Sequence, residues 1–394
     1  MKHAVILPDG AADEPVEALG GRTPLEAAAK PNMDWIARHG RQGLVVTVPE
    51  GYSPGSDVAT LSLFGYDPRV HYPGRAPLEA AARNIPADGA DLVFRSNLVT
   101  IAGGRMKDFT AGHIPQTQAA ELIAALNSAL GREGCRFHAG VSYRNLMVLS
   151  HSAELELQCT PPHDIPDQKV ADYLPRGAGA DRVRAIMERA HDVLAGYSAS
   201  GRGNRNAATD VWLWGQGRTA SLPSFASRFG LRGAVIAAVD LIRGIARCAA
   251  MTVIEVPGAT GYLDTDYAAK GKAACDALRS FDLVAVHIEA PDEAGHLGDV
   301  GAKVAAIERI DEHIVGPLLG ALRGHGEWRI LIAPDHPTPV ASRVHSSAPP
   351  PFCMAGTGIE AQLGKGEGFS ERAALDGGVR IDRGHELMDL FVRQ

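Results

Sequence analysis

Apolar positions along the chain change rhythm twice. AVIL at 4–7 is a short unbroken apolar run stopped by Pro8-Asp9-Gly10, which predicts a buried strand entering a turn. TPLEAAAKPNMDWIARHG has helical spacing, interrupted near Pro31 and closed by Gly40. GLVVTV (43–48) predicts a second strand. The loop PEGYSPGSD follows, and VATLSLFG then predicts a short helix opening just after Ser56.

From residue 91 the texture differs. DLVFRSNLVTI (91–101) and RMKDF (105–109) read as strands around a Gly-Gly turn. QTQAAELIAALNSAL (116–130) is amphipathic with a helical period, and CRFHAGVSYRNLMVLS (135–150) and AELELQC are extended again. This order predicts a small α+β unit ending at the loop PPHDIPDQ (161–168). Beyond it, helical and apolar extended segments alternate: DRVRAIMERAHDVLAGY, TDVWLWG, GAVIAAV, LIRGIARCAA, TVIEV, KGKAACDALRS, DLVAVHIEA, AKVAAIERIDEHIVGPLLGAL and RILIAPDH. Near-continuous apolar strands alternating with helices predict a mostly parallel sheet covered on both faces. The expected organisation is an α/β domain built from 1–90 and 176–394, with an α+β domain of 91–175 inserted.

Composition narrows the classes. The chain has 394 residues, 45% of them hydrophobic and 22% charged, which excludes a disordered, collagen-like or coiled-coil chain. A net charge of −7 argues against a globally basic nucleic-acid binder. No apolar run approaches the roughly 18 residues of a membrane span, and MKHAVILPDG lacks a cleavage site, so it reads as a strand and not a signal peptide. Five scattered Cys without a CxxC predict free thiols in a reducing compartment, hence the cytoplasm.

The candidate chemistry lies at strand ends. Asp9 follows the first strand, Asp292, Glu293 and His296 follow DLVAVHIEA, and Asp335 and His336 follow RILIAP, with His345 shortly after. Each alone has an ordinary reading: a turn aspartate, a solvated i, i+4 pair, a loop. Ligands in open α/β sheets bind outside the carboxyl ends of the strands, where the three can converge. Three Asp and three His suit two cations with mixed oxygen and nitrogen coordination, Mn²⁺ or Zn²⁺ before Mg²⁺ or Co²⁺. A nucleophile beside them is expected at Ser56, in a Gly-rich loop at a helix start, with Ser53 as competitor. Neither GRGNRN nor GATGYLD completes a phosphate-binding P-loop.

Together PDG, PGSDVATLSLFGYDP, PGATGYLDTD, EAPDEAGH and PDHPTP with a later His345 resemble the archaeal-type cofactor-independent phosphoglycerate mutases of the alkaline phosphatase superfamily. The resemblance spans nearly the whole chain. It implies an alkaline-phosphatase-like α/β sandwich with an inserted cap. It also implies one divalent cation held by Asp292, His296 and His345, another held by Asp9, Ser56, Asp335 and His336, and a phosphoserine at Ser56. The implied reaction interconverts 3- and 2-phosphoglycerate without bisphosphoglycerate. The implied partner is a small phosphorylated carboxylate, with no nucleic acid and no membrane. Arg75, Arg95 and Arg144 are the candidates for binding its anionic groups, Arg243 and Lys270 secondary ones. The sequence departs from the archaeal pattern at YPGRAP (72–77) and MKDFTAGH, while GVSYRN and VWLWGQG resemble a bacterial branch. For that branch the alternative is a phosphotransferase or phosphatase on another small acceptor, such as homoserine.

Overall fold

The computed structural model describes residues 1–199, 208–219, 221–361 and 368–393. The GRGNRN stretch (201–206) lies outside the described residues. The chain forms two compact units, Met1–Tyr72 with Ser221–Gln394, and Pro73–Ala220.

In the first unit eight strands form one sheet. Their order across it is Thr252–Val253, Gly233–Ile236, Leu283–Ile288, Lys2–Pro8, Trp328–Ile332, Pro351–Gly356, Arg41–Val45 and Val379–Ile381. Every neighbouring pair is parallel except those made by Pro351–Gly356, which runs antiparallel to both partners. The first strand sits centrally, with Pro8 opposite Ile288 on one side and Ile6 opposite Ile332 on the other. This register brings the residues after 8, 288 and 332 out at one edge of the sheet. The strand read at 43–48 lies at Arg41–Val45, and the one read through TVIEV shortens to Thr252–Val253.

Inward-facing Ala4, Ile6, Val284, Val286, Ile330 and Ile332 pack against Ile307, Ile310, Ile314 and Leu318, all buried. Those last four lie on the long helical stretch expected over 302–322, which runs as Val300–Ile310, a π-helical turn Asp311–Val315, and Gly316–Arg323. The π turn has a use. Helix Pro31–Arg38 starts after Lys30, which makes no side-chain cap. Buried Asp311 supplies it instead, accepting from the backbone N of Asn32 at 3.1 Å and of Met33 at 2.7 Å, and from Asn32 Nδ2 at 2.9 Å.

The second unit is an antiparallel sheet in the order Arg105–Asp108, Leu92–Ala102, Arg144–Leu149, Cys135–Val141, with Asp210–Gly217 also pairing with Leu92–Ala102. Helices Gln116–Leu130 and Ala180–Ala199 cover it through Leu122, Leu126, Val183, Ile186 and Leu194. The chain therefore leaves the first unit earlier, and returns later, than the 90/91 and 175/176 boundaries read from the sequence. Two segments explain the shift. DVWLW has the unbroken apolar character of a parallel strand, yet it pairs antiparallel with Leu92–Ala102. Helix Arg75–Ala82, not read from the pattern, packs Ala76 and Ala80 on Val93 and Val148. All five cysteines are free. No described helix is long and apolar enough to cross a membrane.

Replacing Asp311 by Ala should cost about 1–3 kcal/mol, because buried N–H groups lose their acceptor. Urea denaturation of wild type and variant checks this. A change within about 0.5 kcal/mol, the scale of an ordinary surface substitution, would remove the capping role.

Candidate metal centre and nucleophile

Three strand ends deliver the site, and close backbone approach lets them meet. Gly10, in the turn after the first strand, has φ +60°, and a Cβ there would lie 2.6 Å from Asp292 Oδ1 and 2.7 Å from Thr338 Oγ1. Gly295 is the second contact point, where a Cβ would fall 2.4 Å from the carbonyl oxygen of Thr338. A side chain at either position would drive the strand ends apart.

Asp292, His296 and His345 form one cluster. Asp292 and His296 lie one turn apart on helix Ala290–Leu297. His296 Nε2 is 3.2 Å from Asp292 Oδ2, and His345 Nε2 is 3.4 Å from Asp292 Oδ1. The Nδ1 of each imidazole faces a backbone carbonyl, Arg343 O at 2.9 Å for His296 and Pro54 O at 3.3 Å for His345. A carbonyl only accepts, so each Nδ1 carries the hydrogen and each Nε2 presents a lone pair in the neutral ring. Those two Nε2 atoms stand 2.9 Å apart. Two lone pairs and a carboxylate converging this way favour a cation between them, and the Nδ1–carbonyl bonds are the usual means of orienting metal-binding imidazoles.

Asp9, Ser56, Asp335 and His336 form the second cluster. Ser56 opens helix Ser56–Leu63 and donates from Oγ to Asp9 Oδ2 at 3.1 Å, with His336 Nε2 at 3.3 Å. Ser53 is exposed in the preceding loop, so Ser56 is the serine that reaches the cluster. His336 Nε2 lies 3.6 Å from Asp9 Oδ1 and 3.5 Å from Asp335 Oδ2. Asp335 Oδ1 accepts from the backbone N of Gly10 and of His336. Asp9 Oδ1 and Asp335 Oδ2 are buried without a hydrogen-bond partner among the described residues. Buried carboxylate oxygens are rarely left this way, and a divalent cation would satisfy both. Three ligand groups, Asp292–His296–His345, Asp9–Asp292–His336 and Asp9–His287–Asp335, each bring their donor atoms within 4.8 Å of one another. The residues fit divalent cations. Glu293, on the same turn as Asp292, belongs to none of these groups.

The electrostatics agree. Burial, then the neighbouring carboxylates of Asp335, Glu289 and Asp292, pushes the Asp9 carboxyl well above its usual range. Burial likewise raises Glu289 to about 7. Around Asp292 burial also opposes ionisation, but without a cation the protonated imidazoles of His296 and His345 donate to it, outweigh burial and hold its carboxyl far below normal. The bond to Asp292 lifts His296 to about 9. The pocket thus attracts positive charge, and the field that raises His296 also favours a metal ion.

Several residues here were not read from the sequence. His287, fully buried in the Leu283–Ile288 strand, places Nε2 3.0 Å from Asp9 Oδ2 and Nδ1 3.7 Å from Glu289 Oε2. Burial drives its pKa down to about 4. Lys270, a secondary candidate for anion binding, instead sits beneath the strand, with Nζ 3.3 Å from His287 O. Thr338 Oγ1 donates to Asp292 Oδ1.

The arginine candidates divide. Arg75, Arg95 and Arg144 all belong to the second unit, and Arg95 feels the charges of the other two. Arg95 is largely buried, its guanidinium 4.4 Å over the Trp214 ring and its Nε 3.2 Å from Glu79 Oε2. Arg75 is partly exposed, with Nε 3.8 Å from Glu79 Oε1, and Arg144 is exposed beside Tyr143. Arg243 lies in the first unit and is engaged by Asp240 and Glu255. Its guanidinium is thus already paired with carboxylates of its own unit.

Comparison with solved structures places the fold. A cofactor-independent phosphoglycerate mutase from Thermoplasma acidophilum superposes with a TM-score of 0.70 at 27% identity, covering 99% of both chains. A solved Pyrococcus horikoshii protein gives a TM-score of 0.81 at 28% identity, over 99% of this chain and 96% of the other. The architecture is thus that of the cofactor-independent phosphoglycerate mutases. The family model for 2,3-bisphosphoglycerate-independent phosphoglycerate mutase matches residues 37–198. The protein of that name from Methanothrix thermoacetophila is 50% identical over 396 residues, covering 100% of both chains. This chain belongs to the 2,3-bisphosphoglycerate-independent phosphoglycerate mutase family.

If the clusters hold cations, EDTA treatment should lower the melting temperature, and Mn²⁺, Co²⁺ or Zn²⁺ should restore it. At 100 times its Kd one bound ion adds about 2.7 kcal/mol. Differential scanning fluorimetry checks this on wild type and on Asp292→Asn, whose gain should shrink. An unshifted wild-type melting temperature would contradict the cation sites.

Proposed function

We propose that the protein interconverts 3-phosphoglycerate and 2-phosphoglycerate through a phosphoserine at Ser56, without bisphosphoglycerate. The observation that carries this reading is the placement of Ser56 Oγ at a helix start, 3.1 Å from Asp9 and 3.3 Å from His336. Asp292, His296 and His345 would hold one divalent cation, and Asp9, Ser56, Asp335 and His336 the other. Manganese or zinc suits the mixed oxygen and nitrogen donors. Two such ions would offset the negative charge of a phosphoryl group and make its phosphorus more electrophilic.

The chain's own groups then do the following. Ser56 Oγ forms a bond to phosphorus as the ester bond to the glycerate oxygen breaks. The proton lost by Ser56 is balanced by the one the departing glycerate hydroxyl gains. The N-terminus of helix Ser56–Leu63 favours the anion there. Glycerate turns to present its other hydroxyl, that oxygen takes the phosphoryl group, and Ser56 is regenerated with its proton. Arg75, Arg95 and Arg144 bind the carboxylate and phosphate oxygens, and the Trp214 ring holds the Arg95 fork in place. Five free cysteines fit a reducing compartment, the cytoplasm.

Ser56→Ala should lower mutase turnover by several orders of magnitude, since the covalent step is lost. Mass spectrometry of protein quenched during turnover should find phosphate on the Ser56 peptide. Phosphate on Ser53 or on a histidine would overturn the assignment. Activity with homoserine and ATP in place of phosphoglycerate would point to the related phosphotransferase.

Arg144→Ala should remove about 2–4 kcal/mol, the scale of a charge-assisted contact with its partner left unpaired. The loss should fall on mutase turnover, while phosphate release from phosphoglycerate persists or rises as water meets the phosphoenzyme. Measuring both products in one assay decides it. Equal loss of both would show that Arg144 does not retain glycerate.

A further inference from the structure

Lys303 lies on the helix Val300–Ile310 and is completely buried. An ammonium has three hydrogens to donate, and all three go to the loops that carry the candidate ligands. Nζ reaches Asp13 Oδ2 at 2.7 Å, Thr338 O at 2.8 Å and Ala12 O at 3.2 Å. Asp13 Oδ2 in turn accepts from the backbone N of Val340 at 3.2 Å. Ala12 and Asp13 close the turn that begins at Asp9, and Thr338 and Val340 follow Asp335 and His336. The same two loops also touch through bridges from Ala11 and Ala12 to Pro337. Thr338, whose carbonyl Lys303 holds, donates from its own hydroxyl to Asp292 Oδ1.

We infer that Lys303 is a positioning residue for the metal centre, its buried ammonium setting the spacing of Asp9 from Asp335 and His336 and, through Thr338, the orientation of Asp292. This inference rests on the reading of the two clusters as divalent-cation sites. Lys303 touches none of the ligand atoms. It acts through the backbone of the loops that present them, as groups behind metal ligands commonly do.

The test is Mn²⁺ titration of wild type, Lys303→Met and the double variant Lys303→Met/Asp13→Asn, with melting temperatures recorded in EDTA. The single variant strands a buried carboxylate and loses stability for that reason alone. The double variant removes both charges and should regain most of the EDTA melting temperature. Both variants should bind Mn²⁺ about 10- to 100-fold more weakly, the range for lost support behind a metal ligand. The kcat should fall while the phosphoglycerate KM changes little. Wild-type Mn²⁺ affinity in the double variant would overturn the inference and leave the cation sites standing. Absence of Mn²⁺ binding by the wild-type protein would overturn both.

Discussion

At the site end of the first unit, four carboxylates are held close together and largely dry. Asp9, Glu289, Asp292 and Asp335 gather at one edge of a mostly parallel sheet, three of them less than a tenth exposed. Burying like charges so near one another is among the costliest arrangements a fold can make. It persists only where the surroundings leave no alternative. Here the strand register, the Gly10 and Gly295 contacts and the Lys303 tripod supply that constraint. The imidazoles of His296, His336 and His345 complete a donor set that is strongly cation-seeking.

Much of this was legible in the sequence, for a definite reason. Apolar runs broken by PDG, APDEAGH and APDH each pair a buried strand with a polar stop, and parallel register carries those stops to one edge. Ser56 was legible because a Gly-rich loop before helical spacing is a local signal. What remained hidden was non-local. His287 sits inside an unbroken apolar strand, and only the neighbouring Asp9 reveals its surroundings. Lys303 has the spacing of an ordinary solvated helix residue, and its burial depends on two loops distant in the chain.

The unit boundaries show the same limit from another side. DVWLW satisfies every local requirement of a parallel strand, but the partner decides, and that partner is Leu92–Ala102 running the opposite way. Strand Pro351–Gly356 opens on a proline, a residue that ordinarily argues against a strand, and runs antiparallel within an otherwise parallel sheet. Local pattern specifies what a segment can become. Which sheet it joins is settled by packing.

The central position of the first strand has a kinetic side. Lys2–Pro8 is the first strand of the chain, yet both of its neighbours, Leu283–Ile288 and Trp328–Ile332, lie far downstream, beyond the whole of Pro73–Ala220. At roughly 5–20 residues per second of synthesis, that apolar segment waits on the order of tens of seconds for its partners. The intervening residues, Pro73–Ala220, form a compact unit with its own hydrophobic core and can fold in that interval. This topology lets the middle of the chain mature before the first strand has its partners, which leaves that apolar strand unpaired until Leu283–Ile288 and Trp328–Ile332 emerge.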